Sequence, residues 1–134
     1  MSAEDNKALV RRFIEILNQE NWAESAGEFV ASAADAEFFK EQHAQFRSAF
    51  HDYHFAIDDL IAEGDKVVVR GTVRAVHRGE FPFAELKGVA PTGKAVEWQE
   101  IWIMQVAEGK FQASWLCLDG VSRLQQLGVL SPAE

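Results

Sequence analysis

Apolar residues recur at three- and four-residue steps in the first part of the chain and at every second residue later. From Ser2 to Glu20 the apolar set is Leu9, Val10, Phe13, Ile14 and Leu17, one stripe of a helix. Ser2 is its expected N-cap, with Glu4 and Asp5 in the first turn. Asn21-Trp22-Ala23-Glu24 has the spacing of a capping box and predicts a second, short helix that buries Trp22, Ala26, Phe29 and Val30. After Ala31 to Ala34, Asp35 is the expected cap of a third helix carrying Phe39, His43, Phe46 and Phe50 on one face. The period changes to two near Tyr53. Phe55, Ile57, Asp59 and Ile61 alternate with Ala56, Asp58, Leu60 and Ala62, and Glu63-Gly64-Asp65-Lys66 is a hairpin signal. Further strands are expected from Lys66 to Arg78, Ala95 to Val106 and Phe111 to Leu118. The stretch from Gly79 to Gly93 is expected to be loop, and a last helix from Val121 to Leu127 ends at Gly128.

Helices followed by an antiparallel meander make an α+β fold, with helices packed on one face of a curved sheet. A sheet of that shape leaves a pocket beneath the helices, suited to a small molecule. No repeat, low-complexity tract or linker divides residues 1–134, so one domain is expected.

Composition narrows the partners. Acids outnumber bases 21 to 13, a formal net charge of −8, and the basic residues are scattered, which argues against nucleic acid. The single cysteine, Cys117, excludes an internal disulfide and a cysteine-rich zinc site. No apolar run approaches the ~20 residues of a membrane span, and the acidic N-terminus does not look like a signal peptide. A cytoplasmic protein with no membrane partner is the expectation.

Several motifs, taken in order, resemble the SnoaL-like polyketide cyclases. They are Ala62-Glu63-Gly64-Asp65-Lys66-Val67-Val68-Val69-Arg70-Gly71-Thr72, His77-x-Gly79-Glu80-Phe81 and Pro91-Thr92-Gly93-Lys94. Gly109-Lys110, Trp115, Asp119 and Gln126-Leu127-Gly128 continue the series, and Phe50-His51-Asp52 stands where many members carry Phe-Pro-Asp. The resemblance implies a nuclear transport factor 2-like cone, usually dimeric or tetrameric. It also implies an intramolecular aldol ring closure driven by an aspartate acid/base without a cofactor. Asp119 matches that aspartate. Two departures, the short Ala31-Ser32-Ala33-Ala34 segment and a long Gly79 to Gly93 loop, alter the expected pocket walls.

Read from the residues alone, Asp119 has two roles open to it. Strand alternation groups it with Phe111, Ala113, Trp115 and Cys117, an apolar setting that would raise its pKa toward acid/base use. It also precedes the last helix, where capping would stabilise the carboxylate instead. His77, at the loop end of its strand, either polarises a substrate carbonyl or is a half-buried histidine bonded to backbone. His43 sits between Phe39 and Phe46, a setting common for core histidines, and His51 and His54 do not converge on a metal. Trp98, Glu100, Trp102 and Met104 share one strand face, and Glu97, Gln99, Ile101, Ile103 and Gln105 the other. One face should meet the pocket and the other a subunit interface, giving Gln99 or Glu100 a polar role in the pocket.

The expected site is therefore Asp119 and His77 as catalytic groups, with Trp115, Cys117, Gln99, Trp102, Phe81 and His43 around a small hydrophobic molecule. No metal or cofactor is expected. A homodimer formed through the sheet is expected, because its strands carry large apolar side chains on both faces. Other functions compatible with such a pocket are a non-catalytic ligand-binding module and an enzyme of the ketosteroid-isomerase or epoxide-hydrolase type. The isomerase needs a base plus a tyrosine or protonated acid as oxyanion partner, and the one tyrosine, Tyr53, falls at a strand start.

Overall fold

In the computed structural model, which describes residues 2–130, the first helix starts where the sequence places it. The Ser2 hydroxyl accepts from the Asp5 backbone N–H and the Asp5 carboxylate accepts from Ser2 N–H, both at 3.1 Å. That capping box opens α1 (Ala3–Leu17). A box does not form at Asn21, whose amide donates to the Glu24 carboxylate instead; α2 (Trp22–Ser25) runs straight into a 3₁₀ turn, Ala26–Phe29. The third helix, α3 (Ala33–Ala49), is capped by Ser32 and not by Asp35. Ser32 has the extended backbone a cap requires, and its hydroxyl accepts from Asp35 N–H.

Four strands follow: β1 (Phe50–Glu63), β2 (Lys66–His77), β3 (Ala95–Ala107) and β4 (Lys110–Leu118). They pair in the order β1-β2-β3-β4, each antiparallel to the next, in a curved, unclosed sheet. Glu108 and Gly109 both have positive φ (53° and 74°), the twist a two-residue hairpin between β3 and β4 demands. α4 (Gly120–Gln126) ends before Gly128, whose φ of 80° suits a helix C′ position. The Gly79–Gly93 loop holds one 3₁₀ turn, Ala84–Leu86.

The inner face of the sheet presents Val67, Val69, Val73 and Ala75 from β2 and Val96, Trp98 and Met104 from β3, all buried. α1 lays Leu9, Val10, Phe13, Ile14 and Leu17 on it, each burial contributing about 1.5–3 kcal/mol. Asn18 then pins α1 to β1: its amide donates to Phe55 O (3.0 Å) and accepts from Phe55 N–H (2.8 Å). By contrast α3 buries fully only Ala49. Its aromatic side chains span a gap.

Gly71 shows how tightly the inner face is built. A Cβ there would lie 2.1 Å from the Phe55 ring and 2.7 Å from the Ala56 carbonyl. Phe55 is buried and packed on Trp102, so the ring has no room to retreat. Gly71→Ala is expected to destabilise by at least the ~1–3 kcal/mol typical of overpacking, read as a lower urea midpoint at unchanged m-value. An unchanged midpoint would mean β1 and β2 move apart freely here.

Three bulges redirect side chains that simple alternation misplaces. At the one between Ile57 and Asp59, Leu60 and Ala62, not Asp59 and Ile61, come to oppose the inward Val69 and Val67. Asp52, at φ 56°, opens an irregularity between His51 and His54, so Phe50, Tyr53 and Phe55 all turn inward. In β4 the register shifts at Gln112: Phe111 opposes Val106 but Ala113 opposes Gln105. Beyond it Ser114, Leu116 and Leu118 face inward opposite Met104, Trp102 and Glu100, while Trp115 and Cys117 oppose Ile103 and Ile101 on the outer face. The expected grouping of Phe111, Trp115, Cys117 and Asp119 on one face is thus broken by one extra residue.

Candidate functional site

The gap under α3 is a cavity of about 570 Å³, within the range for small-molecule sites. Phe39, His43 and Phe46 of α3 form its roof. Tyr53 adjoins the roof beside His43, Phe81, Phe13 and Phe111 form the sides, and Glu100, Trp102 and Met104 of β3 the floor. Leu116, Leu118 and Arg123 also line it, with Phe38 and Trp115 exposed at the rim. A smaller hollow of about 270 Å³ lies between α1 and the β3–β4 turn. Its cations are already engaged, Arg12 over the Phe29 ring and Lys110 on the Glu28 carbonyl.

Among the described residues, Glu100 is the one carboxylate buried in the cavity floor. The pattern Trp98-x-Glu100-x-Trp102 puts all three side chains on the inner face, because strand side chains alternate. Trp98 Nε1–H donates to Glu100 Oε2 (2.7 Å) and Trp102 Nε1–H to Oε1 (2.8 Å). Burial pushes the Glu100 carboxyl above the usual carboxylate range; the indole donors and the Arg123 charge oppose that only in part. Arg123 itself is buried, its guanidinium between the Phe50 and Trp98 rings (5.6 and 4.9 Å) and 3.4 Å from Glu85. A carboxyl held in an aromatic wall with a raised pKa is suited to take a proton from carbon and return one to oxygen.

On the roof, Arg47 Nη1 lies 3.3 Å from His43 Nε2 and also donates to Leu17 O. Burial and the Arg47 charge push His43 down to about 3, so it is neutral. Tyr53, whose ring meets His43 edge-on at 5.3 Å, is pushed up by burial and by Glu100 and stays protonated.

The other expected site residues are placed as follows. Trp102 and Phe81 line the cavity, as does His43. Trp115 reaches only its rim. Gln99 opposes Thr72 on the outer face and is exposed, and Cys117 is likewise outside. The even-numbered face of β3 is the one that meets the cavity. His77 is wholly buried behind the site; its Nδ1 meets the Thr92 hydroxyl (3.1 Å) and backbone N–H (3.2 Å), and its ring packs on Phe50. Burial and then Arg123 push its pKa down. Asp119 is exposed and caps α4, accepting from Ser122 N–H at 3.0 Å, and does not line the cavity. Tyr53, which the sequence places only at a strand start, lines it. Among the described residues no group of three or more His, Cys, Asp or Glu side chains is placed to hold a metal ion, and no helix is long and apolar enough to cross a membrane.

Solved structures share this fold. AclR of Streptomyces galilaeus, described as a candidate hydroxylase, is 26% identical with a TM-score of 0.81 over 99% of this chain and 87% of its own. A candidate polyketide cyclase from Acidithiobacillus ferrooxidans is 24% identical with a TM-score of 0.79, over 96% and 98% of the two chains. A SnoaL-like cyclase candidate from Jannaschia is 19% identical with a TM-score of 0.78, over 97% and 95%. The likeness establishes the nuclear transport factor 2-like fold. No curated protein sequence matches the chain. The model of the SnoaL-like polyketide cyclases matches residues 7–127, which takes in most of α1, the cavity walls and the α4 cap. With nearly the whole chain inside that match, the protein belongs to the SnoaL-like polyketide cyclase family.

Proposed function

We propose that the protein is a cyclase-like enzyme that closes a ring in a hydrophobic carbonyl compound, with Glu100 as the acid/base. The observation that carries this reading is the Glu100 carboxyl, buried in an apolar cavity between two indole donors. Its ionised form would remove a proton from carbon beside a carbonyl, leaving an enolate. The enolate carbon would bond to a second carbonyl carbon of the same molecule. The new alkoxide would then take the proton back from Glu100. Atoms and charge balance without a cofactor, and the product is an isomer of the substrate. Asp119, the position matched by family resemblance, would act through α4 by capping it. The test is mass-neutral conversion of an aryl poly-β-ketoester, followed by chromatography, in wild type against Glu100→Gln.

A second reading, proton-transfer isomerisation without a new carbon–carbon bond, is favoured by Tyr53 lying on the same cavity as Glu100. It uses the same base, and a β,γ-unsaturated ketone as substrate would reveal it. The non-catalytic alternative predicts binding of both compounds with conversion of neither.

We further infer a homodimer through the outer face of the sheet. Ile61, Val68, Ile103 and Trp115 form one row across all four strands. Ile61 and Trp115 in that row, and Ile101 beside it, are exposed at 63%, 52% and 45%. A continuous apolar row on a solvent-facing sheet supports a self-complementary interface. Light scattering is expected to give twice the chain mass for wild type and the chain mass for Ile103→Lys. A monomeric wild type at micromolar concentration would remove the proposal.

A further inference from the structure

Two polar groups on the cavity roof are left without work by the acid/base reading. Arg47 can only donate a hydrogen bond. Its Nη1 approach to His43 Nε2 therefore makes Nε2 the acceptor, and a neutral ring must then carry its proton on Nδ1. That Nδ1–H has no partner among the described residues. Nor does the hydroxyl of Tyr53, a residue 93% buried by its 7% exposure. Both residues line the cavity, and their rings are in edge contact at 5.3 Å. Arg47 locks the pair from behind, its guanidinium 4.7 Å over the Tyr53 ring and 5.5 Å over Trp22.

We propose that His43 Nδ1–H and Tyr53 O–H form a donor pair that binds the carbonyl oxygen of the ligand and takes up the negative charge it gains on enolisation. The ligand class is a ketone or phenol on an aromatic or polycyclic frame. The proposal rests on the reading of Glu100 as base, because it supplies the opposite half of the same step. Glu100 takes the proton from carbon, the C–H electron pair moves into the C=C bond, and the C=O pair moves onto oxygen. The two donors hydrogen-bond that oxygen without surrendering their protons. Neutral donors suit this role, because their bonds strengthen as charge develops and an apolar surround keeps water from competing. Arg47 is a positioning residue, since it fixes the tautomer and touches no ligand.

The test has one measurement on the unmodified protein and one on binding. Nitrogen-15 spectra of histidine-labelled wild type at neutral pH are expected to show His43 as the Nδ1–H tautomer. An Nε2–H tautomer or an imidazolium would overturn the proposal. In titrations followed by tryptophan fluorescence, 2-naphthol is expected to bind wild type about 10-fold tighter than 2-methylnaphthalene, the scale of one or two buried hydrogen bonds. Tyr53→Phe and His43→Phe should each cut that preference to about two- or three-fold, and Glu100→Gln should leave it in place. A wild type that binds both probes equally, or a preference that survives both roof substitutions, overturns the donor pair. A preference abolished by Glu100→Gln alone overturns it too, since the oxygen would then sit on the floor. Full turnover in Glu100→Gln with the naphthol preference intact would sink the base and leave the donors standing.

Discussion

Glu100→Gln is expected to lower turnover of a ring-closing substrate by about 10²–10⁴-fold, the range for loss of a positioned acid/base. Asp119→Asn is expected to stay within about two-fold of wild type, since asparagine caps a helix as well as aspartate does. The contrast follows from placement. Glu100 is in the cavity floor at 7% exposure, whereas the Asp119 carboxylate is outside, bonded to Ser122 N–H. The Glu100→Gln amide would keep the shape but offer one acceptor oxygen to two indole donors, so one of Trp98 and Trp102 loses its partner. Circular dichroism must therefore confirm folding before rates are compared. The reverse pattern, an inactive Asp119→Asn and an active Glu100→Gln, would move the chemistry to the N-terminus of α4.

Glu100 should also cost the protein stability where it is charged. Its folded pKa is raised above the unfolded 4.5 by burial. A raised carboxyl contributes most to stability below the unfolded value and loses that contribution as pH rises toward the folded one. The same desolvation that the acid/base reading relies on thus works against the fold once the carboxyl is ionised. Arg123 limits the penalty, and Glu85 in turn holds Arg123.

The element pattern is legible in the sequence because burial repeats: Leu9 to Leu17 at helical spacing and Val67 to Ala75 at every second residue need no tertiary information. The face that meets the cavity is not legible. On β3 both faces carry large apolar side chains, and only the helices above the sheet decide between Trp98-Glu100-Trp102 and Gln99-Ile101-Ile103. On β4 a single bulge at Gln112 reverses every side chain after it, which no count of twos anticipates. Tyr53 is hidden for a related reason, as Asp52 takes a positive φ and turns the next side chain inward. The signal that does exist for the site is an acid flanked at i±2 by two tryptophans, the residues able both to desolvate it and to donate to it.

His43 predicts an acid sensitivity of opposite sign to that of Glu100. Its pKa falls from 6.5 to about 3 on folding, through burial first and the Arg47 charge second. A depressed base contributes stability that is present above the unfolded value and is lost as pH falls toward the folded one. Arg47, Trp22, Phe39, Phe46 and Tyr53 face the ring, and none offers a negative charge to receive the imidazolium. Between pH 7 and 4 wild type is therefore expected to lose roughly 3 kcal/mol more than His43→Phe does, at 1.36 kcal/mol per unit. Urea unfolding at pH 7, 6, 5 and 4 reads this as a gap between the two proteins that narrows or inverts as pH falls. The packing cost of the substitution is the same at every pH, and the carboxylates elsewhere titrate in both proteins, so each cancels from the slope. Glu100 cancels as well, although on its own it would stabilise the acid form. Parallel stability curves for the two proteins would show that His43 finds water or an acid on protonation. That result would put the roof of the cavity in open contact with solvent.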